Sequence, residues 1–107
     1  MMNDQKKTTM KEFQLLTIVA EESLAAQLEH EIFELGARGY TVSSAQGKHD
    51  DHLRDNPWEG ENVRIETITT DEVRHRILRH LEAKYFEKYA LIVFYHPVHV
   101  VRGYHFQ

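Results

Sequence analysis

Apolar and polar positions along the chain change period several times, and each change marks an element. Phe13, Leu15, Leu16, Ile18 and Val19 crowd between Glu12 and Ala20, a run long enough for a strand and too short for a helix. Leu24, Leu28, Ile32 and Leu35 then recur at intervals of four, four and three, which is one face of an amphipathic helix. Glu21 and Glu22 stand near its start, where the helix dipole favours negative charge. Gly36 and Gly39 stand where it should stop. A second strand is expected from Tyr40 to about Gln46. Between Gly47 and Glu61 the chain turns polar, carries Pro57 and Gly60, and loses all period. A loop of that length in a small domain is commonly functional or disordered. Val63, Ile65 and Ile68, with Arg64, Glu66 and Thr67 between, predict a third strand.

Thr69-Thr70-Asp71-Glu72 places a hydroxyl three residues ahead of a glutamate, the pattern of a capping box. Val73, Ile77, Leu81 and Tyr85 follow at intervals of four, with Leu78 beside them, and predict a second helix. Ala90 to Val101 is apolar and β-branched. It reads as a fourth strand in which Pro97 demands a bulge or an edge position. The order βαββαβ is the ferredoxin-like, split-βαβ arrangement. The expected architecture is therefore α+β: a four-stranded antiparallel sheet, two helices on one face, and a long loop between strands 2 and 3. Residues 1–11 read as a flexible N-terminal leader and residues 12–107 as a single domain. Phe13 and Leu15 in strand 1 and Val98 and Val100 in strand 4 leave the second sheet face apolar in places. An uncovered apolar face of that kind marks an oligomer interface.

Composition narrows the possibilities. At 107 residues the chain supports one modest core, so a deep ligand site needs a neighbouring subunit. A net charge of −4 argues against coating nucleic acid, which requires clustered Lys and Arg. Cysteine is absent, which removes disulfides, thiol nucleophiles and Cys-based zinc sites. No apolar run approaches the roughly 20 residues of a membrane span. A soluble, cytoplasmic protein without membrane insertion is expected. Nucleophile elbows, Walker glycines and H-E-x-x-H are missing as well, so no enzyme is expected.

Gly36-Ala37-Arg38-Gly39-Tyr40-Thr41-Val42, then Gly47-Lys48, a long polar loop and Val63-Arg64-Ile65-Glu66 resemble the PII signal-transduction family. The likeness is nearest to its PII-like branch of carboxysome-associated and bicarbonate-transporter-regulating proteins, and it runs from Phe13 to Phe106. It implies a homotrimer that binds adenine nucleotides between subunits and signals through the long loop, the family's T-loop, to a membrane transporter or an enzyme of inorganic-carbon uptake or fixation. Thr41, Gly47, Lys48, Arg54, Ile68 and Arg102 are the nucleotide-site residues that follow. Read alone, Lys48 and Arg54 serve loop solubility more readily than phosphate binding; the resemblance favours phosphate, for which arginine offers a bidentate fork. Glu66, mid-strand among apolar neighbours, reads as a structural partner for a Lys or Arg across a subunit boundary.

Several departures bear on the ligand. The glycine-rich phosphate loop of ordinary PII proteins corresponds to Phe86-Glu87-Lys88-Tyr89-Ala90, which has no glycine. ADP or AMP, with or without bicarbonate, is therefore favoured over ATP. The loop from Lys48 to Glu61 has no tyrosine to modify, and Asp51 stands where the bicarbonate-transporter regulator has an arginine. Trp58 beside Pro57 either tucks against its own chain or anchors a partner. A competing reading is a trimeric divalent-metal-binding protein of the cation-tolerance type that uses His49, His52, His96 or His99.

Overall fold

Alternating runs of period two and period 3.6 become β1 (Met10–Glu21), a 3-10 turn (Glu22–Leu24), α1 (Ala25–Glu34), β2 (Thr41–Ala45), β3 (Asn62–Thr69), α2 (Asp71–Lys84) and β4 (Ile92–Val101). The computed structural model describes residues 10–46 and 61–101. The strands form one antiparallel sheet in the order β2-β3-β1-β4, and both helices pack on the same face. This is the ferredoxin-like arrangement that the element order predicts. Met10 and Lys11 already pair with Val101 and Val100, so β1 starts two residues before Glu12. Pro97 lies on an edge strand, since β4 pairs only with β1. The β1–β4 register runs unbroken from Met10↔Val101 to Val19↔Ile92, so the edge position alone accommodates the missing N–H.

Alternation divides the sheet into two surfaces. Leu16, Ile18 and Ala20 of β1 and Val63 and Ile65 of β3 face the helices. There they meet Leu24, Leu28 and Ile32 from the α1 side and Ile77, Leu81 and Tyr85 from the α2 side, all buried. The helices run antiparallel: Gln27 meets Tyr85, Glu31 meets His80 and Lys84, and Gly36 lies against Val73 and Arg76. The other surface carries Phe13, Leu15, Thr17 and Val19 from β1. Arg64, Glu66 and Ile68 of β3 join them, with Phe94, His96, Val98 and Val100 of β4. Phe13, Thr17 and Val19 of the central strand are buried there, and the exposure lies toward β4, where Phe94 is 42% exposed. The predicted second apolar face is real.

Two terminus assignments change. The α2 cap is Thr70, not Thr69: its hydroxyl accepts from the Val73 amide at 3.2 Å. Val73 therefore occupies the position that a capping box gives to glutamate, and Glu72 serves only the dipole. Thr69 instead ends β3 and is buried. At the end of α1, Gly36 stops the helix without help from Gly39. The Gly36 amide bonds Phe33 O at 3.1 Å and the Ala37 amide bonds Ile32 O at 3.0 Å, a Schellman closure with Ala37 in the core. Gly36 has φ +118°, and a Cβ there would sit 3.1 Å from Arg76 Nη2 and Val73 Cγ2. Gly39 lacks a positive φ, and its Cβ would meet nothing within 4 Å. Gly36→Ala should therefore cost about 1–3 kcal/mol of stability, and Gly39→Ala almost none. Urea denaturation of the two variants checks this, and equal losses would refute the assignment of the stop to Gly36.

Candidate functional site: the α1–β2 turn and the root of the long loop

The segment from Gly36 to Thr41 leaves the Schellman closure and enters the edge strand β2. Its middle is held from the core side, where the Thr67 hydroxyl donates to the Gly39 carbonyl at 2.6 Å. Tyr40 leans back toward α1, and a hydrogen bond with the Glu29 carboxylate pushes its phenol above the usual tyrosine range. Thr41 then opens β2 opposite Glu66, on the sheet surface away from the helices. Ile68 is the next β3 residue on that surface, half-buried and opposite Leu15. Thr41 and Ile68 are therefore diagonal neighbours at one corner of the open face, within reach of a single ligand by cross-strand spacing.

Polar chemistry surrounds this corner. The Thr17 hydroxyl donates to Glu66 Oε2 at 3.2 Å, and Arg64 Nε lies 3.5 Å from the same oxygen. Glu66 thus has a hydroxyl donor and a cation beside it within its own chain. Arg64 also lines a concavity with Ser43, Ala45, Gln46, Val19 and Phe94. Its side chain is 48% exposed, so it presents a cation on the open face close to the loop root. It falls within the Val63-Arg64-Ile65-Glu66 stretch of the resemblance but not among the site residues drawn from it; alternation of positions 64, 66 and 68 along β3 was the available signal.

The long loop departs from Gln46 and returns at Glu61. Its return is tied down by the Glu22 amide, which donates to the Glu61 carbonyl at 3.1 Å. The two side chains meet as well. A hydrogen bond to the Glu61 carboxylate, together with its charge, pushes the Glu22 carboxyl above the usual range. Ser44, Gln46 and Asn62 complete the walls of this root. Of the residues expected at the nucleotide site, Thr41 and Ile68 come together on the open face. Gly47, Lys48, Arg54 and Arg102 lie outside the described residues, as do His49, His52 and Trp58.

The connection after α2 is a tight turn. Backbone amides of Tyr85, Phe86, Lys88, Tyr89 and Leu91 all bond carbonyls of the same neighbourhood, at 2.8 to 3.2 Å. Those donors are therefore not free for a phosphate chain. The histidines of β4 separate: His96 pairs in register with Leu15 on the open face. His99, opposite Glu12 and with Nε2 3.8 Å from its carboxylate, points to the other surface. Residues three apart on a strand cannot chelate one ion together. Among the described residues no group of three or more His, Asp or Glu side chains is arranged to hold a metal, and no helix is long and apolar enough to cross a membrane.

A split-βαβ sheet with both helices on one face, an edge-strand turn beside the other and a loop rooted at the same edge defines a small ferredoxin-like domain. The family model for Nitrogen regulatory protein P-II matches residues 13–105, and the chain belongs to that family. A PII-like signaling protein from Thermus thermophilus is 45% identical, with 88% of this chain and 94% of that one covered and a TM-score of 0.75. CPII from Thiomonas intermedia, solved with ADP, AMP and acetate, is 19% identical over 92% of this chain and 97% of its own, with a TM-score of 0.79. The same protein bound to ADP, AMP and bicarbonate is 19% identical over 86% and 96%, with a TM-score of 0.72.

Proposed function

We propose that this chain is a regulatory sensor, not an enzyme, that binds ADP or AMP between the subunits of a homotrimer, with bicarbonate as a second ligand. The β2–β3 loop acts as the T-loop and carries the ligand state to a membrane transporter or enzyme of inorganic-carbon uptake or fixation. The observation that carries this reading is the P-II match across residues 13–105, which spans the α1–β2 turn and the loop. The nucleotides and bicarbonate seen with CPII support the ligand class. The apolar open face supports self-association, because a chain of this size rarely leaves such a surface to water.

The choice of a shorter phosphate chain has a local physical basis. A phosphate loop works through backbone N–H groups that are unspent and closely approachable. The turn after α2 has no glycine, and its Phe86, Lys88 and Tyr89 amides are spent on neighbouring carbonyls. Charge-assisted donors are left to Arg64 on the open face and to Lys48, Arg54 and Arg102. Each charge-assisted bond is worth about 1.5–3 kcal/mol, so ADP or AMP should bind at least as tightly as ATP. Calorimetry of the full chain with AMP, ADP and ATP, each with and without bicarbonate and magnesium, tests this. Saturable heat with ADP or AMP is expected. No binding of any adenine nucleotide would refute the function, and tenfold tighter ATP would refute the preference.

A further inference from the structure

We infer that Thr67 is a positioning residue of the nucleotide site, holding the Gly39–Thr41 backbone in the conformation that receives the ligand. The inference rests on the nucleotide-binding reading just given. Thr67 is 3% exposed and points from β3 into the helix-side layer, opposite Leu16 of β1. A valine would fill the same space, and a buried hydroxyl costs free energy unless it is bonded. Its partner is the turn: the hydroxyl donates to the Gly39 carbonyl at 2.6 Å.

The place of that bond gives it its effect. The hydrogen bonds that close α1 end at Ala37, and the β2 ladder begins at Thr41. Arg38, Gly39 and Tyr40 span the gap, all exposed. Thr67 reaches into the middle of that gap from the core and pins one carbonyl. Apart from its two chain neighbours, no described residue lies within 4 Å of where a Gly39 Cβ would be. The turn is thus anchored from within and open from without, as a backbone that meets a ligand must be. Without the anchor, Thr41 and its preceding peptides sample other arrangements, and apparent affinity falls with the population of the competent one.

The test compares Thr67→Val and Thr67→Ser in the full chain. Calorimetry with ADP should show about 3- to 10-fold weaker binding for T67V, the fold-change of one ordinary hydrogen bond. T67S, which keeps the hydroxyl, should bind like the parent. Amide exchange at Gly39, Tyr40 and Thr41 should rise in unliganded T67V and stay unchanged in T67S. A purely structural role would lower the melting temperature of T67V and leave its ADP affinity unmoved once folded; that result overturns the inference while the function stands. If T67V does not fold, Thr67→Ala is measured in its place with the same expectation. A parent chain that binds no adenine nucleotide overturns the functional reading, and the inference falls with it; a parent that binds AMP and not ADP is titrated with AMP in the same comparison. The parent's titration thus reports on the function, and the variant-to-parent ratio on Thr67.

Discussion

A Phe94→Glu chain should migrate at its own 12.7 kDa, whereas the parent should assemble to roughly three times that mass. Phe94 stands on the open sheet face, 42% exposed within one chain and in register with Thr17 of the central strand. Nothing in the chain's own core depends on it, so a charge there leaves the fold intact. In a closed homotrimer the same substitution occurs three times, because symmetry repeats every interface residue. Each buried, unpaired carboxylate costs several kcal/mol, and their mutual repulsion adds to that. Phe33→Glu is the control. Phe33 is more exposed, at 59%, but it lies on the outer side of α1 and its substitution should leave the mass unchanged. Multi-angle light scattering at micromolar concentration reads both. An F94E chain that still assembles as the parent does would show that the open face is not the interface.

Glu31→Gln should remove the acid-sensitive part of the protein's stability and lower what remains at neutral pH by about 1–3 kcal/mol. Glu31 and Gln27 stand one turn apart on α1, and His80 and Lys84 one turn apart on α2. Between the helices the Tyr85 hydroxyl donates to Glu31 Oε1 at 2.7 Å and accepts from Gln27 Nε2 at 2.7 Å. His80 Nε2 lies 2.8 Å from the same Glu31 oxygen, and Lys84 Nζ bonds the other. Tyr85 is fully buried, so its hydroxyl depends on this network. Partial burial alone would push the Glu31 carboxyl up. The bonds from Lys84, His80 and Tyr85, with the Lys84 charge, outweigh it and bring the group down to about 2.

Because that value is below the ordinary 4.5, the carboxylate stabilises the fold above pH 4.5. The contribution is lost as pH falls from there toward about 2. Half of the Lys84 side chain is exposed, so solvent screening holds the contribution to about 2 kcal/mol. Tyr85 behaves oppositely. Burial first, and then the Glu31 carboxylate, raise its phenol from 10 to about 12, so its contribution is present below pH 10 and lost between pH 10 and 12. Urea denaturation of parent and E31Q at pH 7, 4 and 2.5 is the measurement. The two curves should converge as pH falls; a constant gap would mean that the acid limb belongs to other carboxylates.

The resemblance to a family and the periodicity of the chain between them made much of this molecule legible. Helix faces at Leu28–Ile32 and Ile77–Leu81 follow from spacing alone, because a helix buries whatever recurs on one side of it. Alternation in β1 and β4 announced a second apolar surface before any sheet was drawn, and the chemistry of proline put Pro97 at a bulge or an edge, of which the fold uses the edge. The absence of glycine between Phe86 and Ala90 is what the proposed preference for a short phosphate chain rests on. All of these are local properties, written within a turn or a few residues of strand.

Tertiary structure decided whatever depends on which distant segments face each other. Glu31 reads as one more charge on a helix until antiparallel packing brings His80, Lys84 and Tyr85 onto it from some 50 residues away. Thr67 reads as an ordinary strand threonine until the turn after α1 crosses above it. Whether Thr69 or Thr70 caps α2 is settled by where β3 leaves the sheet, since the ladder claims Thr69. His96 and His99 look like a pair in the chain, and the pleat sends them to opposite surfaces. A side chain's own period tells which way it points. What it meets there is set by inter-element register, and that register is fixed only when the whole core packs at once.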